Sequence, residues 1–168
     1  MRTNSMRKNL EVINMLAYAK ITGSPLAPNL KGKVIFRDLP GGVEVCAEVT
    51  GLPEFKKKTS DTPQIGPHGF HLHIIGKCEI SDPENPFTSA GEHYNPTNQP
   101  HGNHAGDFPV LFSNNGYSRI CFYTNKFSVF DIIGKAVIIH SGPDDYQSQP
   151  AGNSGKRIGC GVIKILSD

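Results

Sequence analysis

A chain of 168 residues fits one domain and is long enough to bury a hydrophobic core. Eighteen Gly, thirteen Pro and no Trp suit short strands joined by turns rather than a helical bundle. The formal charge is +2 and the only basic run is Lys56-Lys57-Lys58, which argues against a nucleic-acid partner. No segment approaches the ~18 continuous apolar residues of a membrane span, so no membrane association is expected.

Residues 1–14 read as an N-terminal extension, with a short helix or a frayed segment over 9–15, and residues 15–168 read as the domain. The basic start is followed by Asn9, Glu11 and Asn14, which interrupt the apolar centre of a secretory signal, so the expected location is cytoplasmic. Residues 33–37 read as a strand, and Leu39-Pro40-Gly41-Gly42 as a turn. Val43, Val45, Ala47 and Val49 then alternate with Glu44, Cys46 and Glu48, the pattern of a half-buried strand with one wet face. In His68-Gly69-Phe70-His71-Leu72-His73, a strand would set His71 and His73 on one face, about 7 Å apart. Residues 76–107 carry Pro83, Pro86, Pro96, Pro100 and three histidines; a loop this long inside a compact domain is usually functional. Ser118, Ile120 and Phe122 alternate with Arg119, Cys121 and Tyr123. Residues 136–140 form an apolar run ending in His140, residues 141–155 a second long loop, and residues 161–166 a last strand. Short strands with two long loops predict an antiparallel sandwich or barrel carrying a site on its loops.

His71 and His73 suit one metal ion, although two ordinary surface histidines would show the same spacing. His93, His101, His104 and Asp107 supply three imidazoles and a carboxylate, a sensible tetrahedral zinc set. A polar loop rich in His, Asn and Gly is the plainer reading of the same residues. His140 ends its strand just before a Gly-Pro turn, where it can face a site. Imidazole suits copper and zinc alike, so ligand type does not name the metals. Cysteines 46, 78, 121 and 160 show no Cys-x-x-Cys spacing and allow two disulfides in three pairings.

The order of these motifs is more specific than any one of them. His68-Gly-Phe-His71-Leu-His73, Gly91-Glu-His93-Tyr-Asn-Pro96, His101, His104-Ala-Gly-Asp107, His140 and Gly152-Asn-Ser-Gly155-Lys-Arg157-Ile-Gly-Cys160 together resemble the copper/zinc superoxide dismutase family, over roughly residues 16–166. The resemblance implies an all-β fold, an eight-stranded antiparallel Greek-key β-barrel or sandwich with two long functional loops. It implies an enzyme that turns superoxide into oxygen and hydrogen peroxide by alternating Cu(II) and Cu(I), with copper and zinc as cofactors. Copper would take His71, His73, His93 and His140; zinc would take His93, His101, His104 and Asp107. His93 would bridge both metals and return a proton during turnover, while Arg157 would draw in the superoxide anion. Asp144 would link His71 to His101, with Asp145 its rival for that role, and His68 would tie backbone segments together without binding metal.

The same resemblance implies a Cys78–Cys160 disulfide in the bacterial arrangement, because the eukaryotic cysteine position, six residues before His93, is Phe87 here. It admits a homodimer as one assembly. Two departures stand out. The spacer from His101 to His104 is much shorter than in well-known members, which puts His101 at risk of displacement. The loop after His140 is also short, leaving steering to Arg157 and net charge. Alternation sets Cys46 and Cys121 on the wet faces of strands that the family topology makes neighbours; a cross-strand pair and two free thiols both remain open. A non-catalytic copper-delivery or metal-buffering protein of the same fold is the alternative function.

Overall fold

The structure is a computed structural model that describes residues 15–166; the expected N-terminal extension lies outside them. Seven strands run in chain order: β1 Leu16–Gly23, β2 Lys31–Leu39, β3 Gly42–Thr50, β4 Phe70–His73, β5 Ser118–Thr124, β6 Ala136–His140 and β7 Arg157–Ile165. Every pairing is antiparallel, in the order β4-β6-β7-β1-β2-β3-β5. The alternation seen in the sequence has a direct cause. Val43, Val45, Ala47 and Val49 point inward and are buried, while Glu44, Cys46 and Glu48 point outward, because successive strand residues face opposite sides.

The two edge strands curl around one core. Phe108 packs its ring 5.2 Å from Phe70 on β4 and 5.1 Å from Phe122 on β5, so opposite ends of the sheet meet across a single side chain. Eight strands were expected and seven are continuous. The eighth is reduced to isolated pairings of residues 107–111, His71 with Asp107 and His68 with Leu111, while His73 pairs separately with His93. Pro109 sits within this segment and has no N–H to donate, which interrupts the ladder. The last strand starts at Arg157, four residues earlier than the apolar run from 161 suggested, and Leu16–Gly23, built on Ala17, Ala19 and Ile21, is an added strand.

Both faces of β4 are covered. Phe70 and Leu72 enter the main core, whereas His71 and His73 face away from it and are buried all the same. A second, smaller apolar cluster of Phe87, Ala90, Ala136, Ile138 and Cys160 lies on the other side of the sheet. The Cys78–Cys160 disulfide ties the long loop to β7 there, with Cα atoms 5.7 Å apart. The second bridge is Cys46–Cys121, between residues directly opposite each other on β3 and β5. Of the two readings left open, the cross-strand pair is the one found.

Candidate metal centre

Six histidines converge where the two long loops cross β4 and the end of β6. His71, His73, His93 and His140 place ligand nitrogens within 4.8 Å of one another, and His93, His101, His104 and Asp107 do the same. His93 belongs to both groups. Each of the six rings carries a buried nitrogen without a hydrogen-bond partner: Nδ1 of His71, His101 and His104, and Nε2 of His73, His93 and His140. A buried polar atom left unpaired costs free energy, so six at one place call for a partner the protein chain does not supply. Cations that accept nitrogen lone pairs fit that requirement; the residues present fit copper and zinc.

The other ring nitrogens set the tautomers. His73 Nδ1 donates to the Gly91 carbonyl at 2.9 Å and His140 Nδ1 to the Gly155 carbonyl at 3.1 Å. A carbonyl only accepts, so the proton sits on Nδ1 and the lone pair of Nε2 faces the centre. Asp144 does the same work for two rings at once. Its Oδ2 accepts from His71 Nε2 at 2.7 Å and its Oδ1 from His101 Nε2 at 2.8 Å. That carboxylate therefore joins one ring of each group, as expected. Asp145 is excluded from the role: it is exposed and accepts from Ser148 and Asn153 instead.

Gly152 is what makes room for the link. A Cβ there would lie 1.8 Å from Asp144 Oδ1 and 2.5 Å from His101 Nε2, and its φ of +65° lies in the left-handed region that favours glycine.

Asp107 organises the other group. Its Oδ1 lies 2.8 Å from His93 Nδ1, 3.2 Å from His101 Nδ1 and 3.3 Å from His104 Nδ1. Ligands on a tetrahedral zinc stand about 3.3 Å apart, given bonds of about 2.0–2.1 Å. Its Oδ2 accepts from the backbone N–H of Gly102 and His104 at 2.8 and 2.9 Å, which folds the short loop back on itself. The neighbouring Phe108, 1% exposed, anchors the loop's end in the core.

The shortened spacer does not displace His101, and the reason lies in the other loop. The Gln149 side chain accepts from the His101 N–H at 2.8 Å and donates to the His101 carbonyl at 3.3 Å. Tyr146 adds a second tie: its hydroxyl donates to the Phe108 carbonyl at 3.0 Å and accepts from the Val110 N–H at 2.9 Å. Sequence reasoning missed both residues. Neither belongs to a ligand motif, and a Gln in a polar loop carries no signal of what it will clamp.

The protonation states suit cations. Burial pushes His71 and His73 well below their ordinary value, and the neighbouring His140 and His93 push the same way. Burial takes His140 down to about 3 and also lowers His104. For Asp107 burial acts upward, but the His93 hydrogen bond, the charge of His101 and the His104 N–H hold its carboxyl below the usual range. The lowered values of His71, His73, His104 and His140, and the low value of Asp107, favour the neutral ring and the ionised carboxylate that bind metal.

Arg157 is the strand partner of His140 across a bulge between β6 and β7. Its guanidinium donates to the carbonyls of Phe87 and Gly91, both at 2.7 Å. The Gly91 oxygen also accepts from His73, so the arginine shares an anchor with that ring. His68 is fully buried between the carbonyls of His140 and Pro53, at 2.9 and 3.1 Å, and joins neither group.

Comparison with known proteins agrees with this geometry. The family model for copper/zinc superoxide dismutase matches residues 30–163. A copper-zinc superoxide dismutase of Aquifex aeolicus is 42% identical over 124 residues, covering 65% of this chain and 71% of the relative. One from Legionella pneumophila is 39% identical over 141 residues, covering 79% of this chain and 77% of the relative. The solved structure of the Cu/Zn superoxide dismutase from Brucella abortus aligns with a TM-score of 0.70 at 27% identity, covering 89% of this chain and 99% of that one.

Proposed function

Because this chain belongs to the copper/zinc superoxide dismutase family, we propose that it converts two superoxide anions and two protons into oxygen and hydrogen peroxide. The observation that carries the reading is the set of six unpartnered buried nitrogens, divided into two groups that share His93. Copper is assigned to His71, His73, His93 and His140, and zinc to His93, His101, His104 and Asp107. Bound copper supplies one-electron redox chemistry, and bound zinc, which has none, supplies fixed charge beside His93.

The protein's own residues do the rest. His93 presents Nδ1 to Asp107 and Nε2 to the copper group, so Nε2 is the atom that takes up a proton and hands it to the second superoxide. Carbonyls hold His73 and His140, and Asp144 holds His71, which leaves His93 as the ring that exchanges a proton. Arg157 spends two of its five N–H groups on carbonyls and keeps the others for an anion. Its charge survives at any relevant pH, so it attracts superoxide and orients it. The copper-delivery alternative is not favoured, since the copper group is complete and Arg157 stands next to His140 in the sheet.

Dismutase activity of purified protein loaded with copper and zinc tests the proposal; full metal loading without activity would refute it. The proposal extends to a homodimer, for which Ile74 and Ile75, exposed directly after β4, offer apolar surface. A monomeric mass in sedimentation would remove that part.

A further inference from the structure

The two disulfides sit in unlike places. Cys160 is 2% exposed, its Sγ lies 3.9 Å from the Lys77 carbonyl, and Cys78, half-buried, packs against the apolar cluster of Phe87 and Ala90. Cys46–Cys121 lies on the outer face of the sheet, where Cys121 is exposed and Cys46 half-buried. It joins β3 to β5, and β5 is an edge strand with β3 as its only strand neighbour among the described residues.

We propose that Cys46–Cys121 is a thiol-exchange site, opened by a small-molecule thiol and closed by that thiol's disulfide, RSSR, while the metal centre stays intact. Exchange requires a thiolate to reach a sulfur, so access decides which bridge reacts. Exposure also selects the sulfur, since Cys121 is exposed and Cys46 half-buried. The charges on this face are balanced: Glu48 stands opposite Arg119, and Glu44 lies 3.9 Å from Arg37. An incoming thiolate therefore meets no carboxylate left without a cation and reaches the Cys121 sulfur first.

The thiolate RS⁻ attacks Cys121 Sγ. The Cys46–Cys121 bond breaks as a Cys121–S–S–R bond forms, and Cys46 leaves as a thiolate that takes a proton from water. A second RS⁻ attacks the R-side sulfur, releasing RSSR and the Cys121 thiolate. Two thiols are oxidised and one protein disulfide is reduced. The β3–β5 ladder still pairs Val43–Val49 with Ser118–Thr124, and no metal ligand lies on either strand, so the centre persists.

The test treats metal-loaded protein with graded glutathione, traps free thiols by alkylation and maps them by mass spectrometry. Activity, metal content and circular dichroism are followed alongside. We expect Cys46 and Cys121 to open with at least about tenfold less glutathione than Cys78 and Cys160. The glutathione adduct should map to Cys121, with activity and metal content unchanged. In C78S/C160S protein the outer bridge should open at the same glutathione concentration. Opening of both bridges together, of Cys78–Cys160 first, or only as the dichroism signal is lost would overturn the proposal. An adduct on Cys46 would overturn the assignment of the attacked sulfur.

Discussion

His71, His73 and His140 stand on β4 and at the end of β6, whereas His93, His101, His104 and Asp107 all come from one loop. Of the strand-borne rings, His73 and His140 are held by sheet pairing and by carbonyls close to them in the fold, while His71 also bonds Asp144. The loop-borne rings depend on side chains from another loop, Asp144 and Gln149, more than forty residues away in sequence. The comparison teaches that the copper half is positioned by the core, and the zinc half by hydrogen bonds between two loops. Removing the Gln149 bonds should therefore injure zinc binding first, whereas removing Asp144 should weaken both halves.

The largest effect belongs to the residue the halves share. In H93A both groups lose a ligand, and dismutase activity should fall further than the roughly 10–100-fold typical of losing a ligand's hydrogen-bond partner. Metal analysis should show zinc lost as well. Next comes G152A, whose methyl would intrude on Asp144 and His101. The clash falls on the Asp144 Oδ1–His101 bond, so zinc affinity, read by chelator competition, should drop about 10–100-fold, and copper affinity less, through Asp144 Oδ2 on His71. Equal losses of both metals would break the distinction between the halves.

R157A should keep both metals and lose about tenfold in kcat/KM, with a weaker dependence on ionic strength, because it removes attraction rather than ligation. Stopped-flow assays across a salt series would read this. The smallest effect is expected for Q149A. It removes two hydrogen bonds to the His101 backbone, one of them long at 3.3 Å, together worth about 1.4 kcal/mol net at most, so zinc affinity should fall about tenfold or less. No change in zinc affinity would show that the short loop holds His101 unaided.

The strand-borne half was more legible in the sequence, for the same physical reason that makes it firm. A strand converts spacing into geometry, so His71-x-His73 and the end of the 136–140 run located three rings without knowledge of the rest of the chain. Alternation likewise placed Cys46 and Cys121 outward, and the register then set them opposite each other. Loop geometry has no such period. Whether His101 would stay with His104 and Asp107 depended on Gln149 and on the two N–H donors to Asp107 Oδ2, contacts that no local pattern announces. The choice of Asp144 over its neighbour Asp145 turned on the same point: one residue faces the rings and the other caps its own turn with Ser148. The missing eighth strand reflects Pro109, whose effect on pairing depends on which strand lies beside it.

The central claim is a single shared centre in which His93 joins a strand-built copper group to a loop-built zinc group. The most direct measurement is a crystal structure of protein loaded with both metals, with anomalous data collected at the copper and zinc edges. Copper is expected on His93 Nε2, and zinc about 2.0–2.1 Å from the Nδ1 atoms of His93, His101 and His104, with Asp107 as the fourth ligand. Zinc bound without His101, or His93 contacting only one of the two ions, would contradict that claim.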